Sequence, residues 1–78
     1  MGNLEKYNKT FMETLDIKEE QLVGLKYQAV ENWDSIGHMS LVAAIEDTFE
    51  IMLDTDDIID FSSYEIGKDI LKKYNVEL

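Results

Sequence analysis

The sequence predicts an all-α fold, a four-helix bundle with three main helices, one short helix and a long loop between helices 1 and 2. Apolar residues recur at steps of three and four over several stretches, which is the spacing of one helix face. The chain has only 78 residues, enough for a single domain over residues 1–78. It contains no cysteine, so its stability must come from helix packing.

The first helix is predicted from Asn3 to Leu15, with Asn3 as its N-cap. Its apolar face comprises Leu4, Tyr7, Phe11 and Leu15. From Asp16 to Trp33 the apolar residues keep no single period, and Gly24 interrupts any helix. This stretch is predicted to be a long ordered loop that its apolar residues fix to the core. Loops of this length are uncommon in small domains and usually functional.

The second helix is predicted from Ser35 to about Glu50. Its apolar face comprises Ile36, Met39, Val42, Ile45 and Phe49. Asp34 is a suitable N-cap because its carboxylate can accept from unpaired first-turn N–H groups. Ser35 would then be the first helical residue, where a phosphate would meet free N–H donors and the positive end of the helix dipole. Gly37 is either a tolerated glycine near a helix end or a residue that allows a bulky group or partner to approach closely.

Two further helices are predicted in the last third of the chain. A short third helix begins near Thr55, its predicted cap, and turns Ile58 and Phe61 inward. The fourth helix follows, and Glu65 lies three residues after Ser62, which is the spacing of a capping box. Its predicted buried stripe comprises Ile66, Ile70 or Leu71, and Tyr74.

The charge of the chain restricts the classes of partner. Seventeen acidic residues against seven basic ones give a net charge of −10. Binding to nucleic acid is disfavoured, because contacts with phosphates need a basic surface. The charge instead favours solubility and electrostatic steering toward basic patches on partner proteins. No signal peptide and no apolar run of membrane-spanning length is recognised, so we expect a soluble, cytoplasmic protein without a membrane partner.

The acidic residues of the C-terminal half partly match the pattern of a calcium-binding loop. Asp54, Asp56 and Glu65 match positions 1, 3 and 12 of an EF-hand loop. However, Ile58 occupies the position of an oxygen ligand, and Ile59 replaces the glycine of the sharp turn. The sequence therefore predicts no metal site.

A catalytic serine is also disfavoured. Ser35 would need an adjacent general base, and the only histidine, His38, lies one turn further along the same helix. Such a pair would still lack an orienting acid and an oxyanion site. The sequence therefore disfavours a hydrolase.

The stretch Asp34-Ser35-Ile36, followed five residues later by Leu41, resembles the attachment site of the acyl carrier proteins. The likeness covers nearly the whole chain in layout and is strongest over residues 33–49. It implies an acyl-carrier-like four-helix bundle in which Ser35 carries a covalent 4′-phosphopantetheine arm. The resemblance further implies that a phosphopantetheinyl transferase supplies the arm from coenzyme A, and that the thiol of the arm holds acyl groups as thioesters.

The resemblance also implies which residues meet partner proteins, namely the transferase and the enzymes that load and process acyl groups. By resemblance, Asp34 helps the transferase recognise the site and Ile36 is an exposed apolar contact, although periodicity alone makes Ile36 equally a core residue. The simplest interpretations of His38 and Met39 are surface and core respectively, and either residue could contact a partner. The remaining candidates for partner recognition are the acidic pair Glu46 and Asp47. A monomer is expected.

The chain departs from the fatty-acid carriers, which usually place acidic residues two and five positions after the serine, where Gly37 and Ser40 occur here. A free-standing carrier could therefore serve fatty-acid synthesis or a specialised pathway of polyketide, nonribosomal-peptide or surface-glycan biosynthesis. By resemblance, the bundle would open slightly between the second and third helices to take up cargo. The alternative is a small acidic helical adaptor without prosthetic group, which would bind proteins through Ile36, Met39 and Met52.

Overall fold

The computed structural model describes residues 2–78 and contains four α-helices and one turn of 3-10 helix. These elements are α1 (Asn3–Leu15), the 3-10 turn (Glu19–Gln21), α2 (Ser35–Phe49), α3 (Thr55–Asp60) and α4 (Tyr64–Lys72). The prediction of an all-α chain with three longer helices, one short helix and a long first loop is confirmed. None of the helices within residues 2–78 is long and apolar enough to cross a lipid bilayer.

Aromatic rings dominate the core, and Phe11 lies at their centre. Its ring centroid is 4.9 Å from that of Tyr7, 5.4 Å from Tyr64 and 5.5 Å from Trp33. Most of the predicted face of α1 is therefore confirmed, because Tyr7, Phe11 and Leu15 are fully buried. The prediction was wrong for Leu4, which is exposed because the first turn of α1 faces charged side chains of α4 instead of the core.

The N-terminus of α1 differs from the prediction. Asn3 is the first helical residue, and Gly2 is the N-cap without a side-chain hydrogen bond. The side-chain amide of Asn3 instead donates to the carbonyl oxygen of Glu77 at 2.9 Å. The predicted cap was wrong because this side chain bonds to the C-terminal tail.

The starts of α3 and α4 are each shifted by one residue from the prediction. Asp54 precedes α3 as its N-cap, without a side-chain hydrogen bond, and Thr55 is already helical. Ser63 caps α4, its hydroxyl oxygen accepting from the N–H of Ile66 at 3.0 Å. The predicted capping box of Ser62 was therefore wrong, since Ser62 lies in the connection before the cap.

The buried stripe of α4 is confirmed for Ile70 and Leu71, which lie in the core. Tyr74 follows the helix and is half-buried. Ile66, which was predicted to be buried, is exposed on the first turn of α4. Gly67 takes the inward position beside it, where a Cβ atom would lie 2.4 Å from the ring of Phe61.

The long loop between α1 and α2 is ordered, as predicted, and three of its side chains lie in the core. These buried residues are Leu22, Leu25 and Trp33. The loop backbone forms an isolated bridge between Lys26 and Ser63, just before α4. The side chain of Asn32 donates to the carbonyl of Leu15 at 2.9 Å, which ties the end of the loop to the end of α1. The loop thus brings the chain back to the start of α2.

Gly37 fits where the loop passes over the first turn of α2. A Cβ atom on this residue would lie 1.7 Å from the backbone oxygen of Asn32. The group that approaches Gly37 closely is therefore the backbone of the long loop in the same chain. No side chain larger than hydrogen fits without movement of the backbone.

The short helix α3 is fastened to the end of α4 by a buried carboxylate. Asp57 accepts one hydrogen bond from the ammonium of Lys73 and another from the hydroxyl of Tyr74 at 2.5 Å. The same hydroxyl accepts from the N–H of Asp54 at 3.0 Å. The hydrogen bonds from Lys73 and Tyr74 lower the pKa of the Asp57 carboxyl below its usual value.

Candidate functional site

Ser35 is the first residue of α2 and its side chain is exposed. The preceding Asp34 has extended backbone angles, and its carboxylate oxygen accepts from the N–H of Gly37 at 2.8 Å. The predicted N-cap is confirmed. Its hydrogen bond fixes the first turn, so the hydroxyl of Ser35 lies at a defined place near the positive end of the helix dipole.

Tyr27 brings a second hydroxyl to Ser35 from the long loop. The two side-chain oxygens are 3.4 Å apart, and either can be the donor. The ring of Tyr27 packs edge-on against the rings of Trp33 and His38, at 6.2 and 5.6 Å between centroids. This contact has no signal in the sequence, because Tyr27 lies in a stretch without periodicity and reaches Ser35 only when the loop folds.

A pocket of about 370 Å³ opens beside Ser35 between α2 and α3. Besides Ser35, its lining comprises Tyr27, His38, Met39, Ile58, Ile59, Phe61 and Ser62. Most of these side chains are apolar or aromatic, and the volume falls within the range of small-molecule sites, about 300–1,000 Å³. The hydroxyl of Ser35 thus lies at the edge of an apolar pocket.

His38 forms part of this pocket and is hydrogen-bonded through both ring nitrogens. The indole N–H of Trp33 donates to Nδ1 at 3.0 Å, and Nε2 lies 2.8 Å from the carbonyl oxygen of Ile58. A carbonyl can only accept and an indole N–H can only donate, so the proton of a neutral ring must be on Nε2. The interpretation of His38 as a surface residue was wrong. The ring is half-buried because it joins the loop to α3.

The apolar face predicted for α2 is buried only in its C-terminal part. Val42 and Ile45 lie in the core, together with Leu41, which the predicted stripe did not include. Met39 is 56% exposed and Ile36 is 79% exposed. The interpretation of Met39 as a core residue was therefore wrong. For Ile36, which was predicted to be either an exposed contact or a core residue, the exposed alternative is the one observed. The first turns of α2 extend past the packed core, so periodicity alone could not decide their burial.

The two acidic residues near the end of α2, Glu46 and Asp47, differ in their surroundings. The Glu46 carboxylate accepts from the backbone N–H of Leu53 at 2.8 Å and is half-buried. This hydrogen bond holds the segment that leads from α2 to α3. Asp47 is exposed. A role of either residue in partner recognition stays a prediction, and Asp47 is the more accessible of the two.

The acidic residues that match EF-hand positions lie on two different helices. Asp54 caps α3 and Asp56 lies within it, whereas Glu65 lies on α4 and pairs with Lys68 at 3.4 Å. Between residues 2 and 78, no group of three or more histidine, aspartate or glutamate side chains is arranged to hold a metal ion.

Comparisons of the chain with protein-family models, curated proteins and solved structures found no match. The site itself offers the following chemistry. Its distinguishing features are the exposed Ser35 hydroxyl at a capped helix N-terminus, the neighbouring hydroxyl of Tyr27 and the apolar pocket beside them.

Proposed function

We propose that the protein is a free-standing acyl carrier protein with the acyl-carrier arrangement of helices, and that Ser35 carries a covalent 4′-phosphopantetheine arm. The observation that carries this proposal is the exposed hydroxyl of Ser35 at the capped N-terminus of α2, on the edge of an apolar pocket. When bound, the arm supplies a thiol that holds acyl groups as thioesters. The cargo would belong to fatty-acid, polyketide, nonribosomal-peptide or surface-glycan biosynthesis.

The surroundings of Ser35 suit a residue that is modified by another enzyme. Both nitrogens of His38, the only histidine, bind Trp33 and Ile58, so this imidazole is not directed at the Ser35 hydroxyl as a base. The hydrogen-bond partner of that hydroxyl is Tyr27. We therefore assign Ser35 the role of the group that receives the arm. Its oxygen bonds to the phosphorus that carries the pantetheine, the pyrophosphate bond of coenzyme A breaks, and 3′,5′-adenosine bisphosphate leaves. The hydroxyl proton passes to a base of the transferase. The protein itself catalyses no reaction in this proposal.

The residues around Ser35 fit the proposed arm. A phosphate on the Ser35 oxygen would lie at the N-terminus of a 15-residue helix, where backbone N–H groups and the helix dipole favour negative charge. The hydroxyl of Tyr27, 3.4 Å from the serine oxygen, can donate to a phosphate oxygen. The pocket between α2 and α3 offers an apolar surface to a cargo attached near it.

Docking of partner enzymes would use the acidic surface and the exposed apolar side chains near Ser35. A net charge of −10 favours encounter with basic patches on a transferase and on enzymes that load or process acyl groups. Ile36 and Met39 on α2, and Ile59 on α3, are then available for apolar contact. We place the carrier in the cytoplasm as a monomer, without nucleic-acid or membrane partners.

The proposal is tested by intact mass after incubation with coenzyme A and a broad-specificity phosphopantetheinyl transferase. We expect the wild-type chain to gain one phosphopantetheinyl group and Ser35→Ala to gain none. Ser40→Ala is the matched control, because it removes an exposed serine from the same helix and should leave the gain unchanged. Because Ser35 is exposed, Ser35→Ala should change the free energy of unfolding by no more than about 0.5 kcal/mol.

Two results would contradict the carrier assignment. One is a folded wild-type chain that gains no mass with either of two transferases of different specificity. The other is an undiminished gain in Ser35→Ala, which would move the modification to another residue.

A protein-binding adaptor without prosthetic group is the second candidate, and the exposed apolar surface favours it. Ile36, Met39 and Met52 are 79, 56 and 83% exposed. Ile36 and Met39 both lie in the first turns of α2, and apolar patches on small proteins often mark interaction sites. An adaptor should bind its partner equally well after Ser35→Ala and lose binding after Met39→Asp. A carrier should lose its function in Ser35→Ala while remaining folded.

A further inference from the structure

The ring of His38 joins three parts of the chain through two hydrogen bonds, which together we call the His38 bridge. It runs from the indole N–H of Trp33 to Nδ1, and from Nε2–H to the carbonyl oxygen of Ile58. Trp33 belongs to the long loop, His38 to α2 and Ile58 to α3. The bridge therefore connects the two helices on either side of the pocket with the buried indole of the core.

The bond to Ile58 satisfies a group that α3 cannot satisfy by itself. In any α-helix the last four carbonyls have no intrahelical partner, and Ile58 is among the last four residues of the six-residue α3. On the opposite side, Asp57 fastens α3 to Lys73 and Tyr74. The imidazole is thus the polar group that holds the backbone of α3 toward α2.

The position of α3 determines the space beside Ser35. Ile58 and Ile59 form the α3 wall of the pocket, and His38 and Met39 form the α2 wall. A helix of only six residues has little stability of its own and depends on the contacts that hold it. Loss of the bond from the imidazole would therefore allow the α3 wall to move away from α2.

We infer that His38 is a positioning residue whose bridge sets the separation of α2 and α3, and thereby limits the size of apolar cargo that the pocket beside Ser35 accepts. This inference rests on the proposed carrier function, which gives the pocket its cargo. The bridge acts without any change at Ser35. It works through the neutral ring with its proton on Nε2, because only this tautomer serves both partners.

The variants that test the bridge are His38→Leu and His38→Gln. Leucine fills the site without polar atoms, whereas the amide of glutamine can still donate to the Ile58 carbonyl. We expect His38→Leu to speed hydrogen exchange of the α3 amides about fivefold, the effect of one lost hydrogen bond, and His38→Gln to stay within about twofold of wild type. Nile red, a neutral apolar probe, should bind His38→Leu about threefold more tightly as the pocket widens.

Thr48→Val is the matched control, since it removes another side-chain hydrogen bond between helices, that of Thr48 with Thr10 at 3.2 Å. It lies toward the other end of α2 and should leave α3 exchange and Nile red binding unchanged. The inference is overturned if His38→Leu leaves both quantities within twofold of wild type, or if Thr48→Val changes them equally. These measurements use the unmodified chain, so their failure is distinct from a failed mass gain at Ser35.

The wild-type protein provides an independent test that needs no variant. Ring ¹⁵N–¹H correlation spectra should show His38 with its proton on Nε2 and with Nδ1 as an acceptor. A ring protonated on Nδ1 in the neutral form would overturn the inference, because Nδ1 could then not accept from Trp33.

Discussion

Between α1 and α4 the aromatic side chains of Tyr7 and Tyr64 are buried, whereas between α2 and α3 the apolar side chains of Met39 and Ile59 are exposed. On the first side the ring centroids of Tyr7 and Tyr64 are 5.2 Å apart, and the backbone of Gly67 fits against the hydroxyl of Tyr7 and the ring of Phe61. The hydroxyl of Tyr7 donates to the carbonyl of Tyr64 at 2.6 Å. Burial, and then the neighbouring Tyr64, raise the pKa of the Tyr7 phenol far above its ordinary value, so it remains a donor.

On the second side, apolar residues of the same kind remain in contact with solvent. Met39 and Ile59 are 56 and 71% exposed, and an apolar pocket lies between their helices. Exposed apolar area forgoes about 25 cal/mol of stabilisation per Å² that burial would give. The aromatic core therefore supplies buried apolar packing, whereas the α2–α3 side leaves exposed apolar area that burial would make stabilising. The following variants test that division.

The largest difference in the free energy of unfolding should appear between Phe11→Ala and Ile59→Ala. Phe11 is fully buried and contacts four other aromatic rings, so its loss should cost about 3–5 kcal/mol, a large part of the stability expected for a domain of this size. Ile59 is exposed on the pocket side, and its loss should cost no more than about 0.5 kcal/mol. Urea unfolding followed by circular dichroism measures both. Equal losses of unfolding free energy in the two variants would show that the two sides contribute equally to stability.

A smaller effect is expected for Gly37→Ala, which tests how the loop is packed on α2. Alanine favours a helix by about 1 kcal/mol over glycine, but here its Cβ would meet the backbone oxygen of Asn32 at 1.7 Å. We expect a net loss of about 1–3 kcal/mol in urea unfolding, because the loop backbone must move. Ser40→Ala, at an exposed position of α2, is the control and should be neutral or slightly stabilising. A stabilised Gly37→Ala would refute the close packing.

The smallest effect concerns pH and the attachment of α3 to α4. Hydrogen bonds from Lys73 and Tyr74 lower the pKa of Asp57 in the folded state below its ordinary value of 3.8. The carboxylate of Asp57 therefore contributes stability above pH 3.8. This contribution is lost as the pH falls through the folded pKa, because the unfolded chain binds the proton at a higher pH than the folded chain does. Asp57→Asn should lose less stability than wild type between pH 5 and pH 3, by roughly the contribution of this one carboxylate.

The control for the pH experiment is Asp56→Asn, which removes the same charge from an exposed position of the same helix. In urea unfolding at each pH, the stability of this variant should fall with acid as much as that of the wild type. If Asp57→Asn also kept it, Asp57 would not fasten α3 in the way described. Each substitution removes one negative charge from the net charge of −10, so the difference between the two variants isolates the buried carboxylate.

Local pattern was sufficient for most of the fold. The spacing of Tyr7, Phe11 and Leu15 predicted α1, and Asp34 before Ser35 predicted the start and the cap of α2. These features depend on neighbouring residues in the chain, because helix periodicity and capping act over one or two turns. The predictions failed at helix ends and on outer turns, as at Leu4 and Met39, where burial depends on whether another element covers the turn.

The order of the helices, the long loop and the place of Ser35 at the start of α2 could all be predicted from local sequence patterns. Only the tertiary structure placed Tyr27 against Ser35, and His38 between Trp33 and Ile58. The physical reason is that the loop has no period that fixes the direction of its side chains, so its contacts arise only when its apolar residues enter the core. The close approach of the Asn32 backbone, which requires glycine at position 37, likewise arises only when the loop folds onto α2.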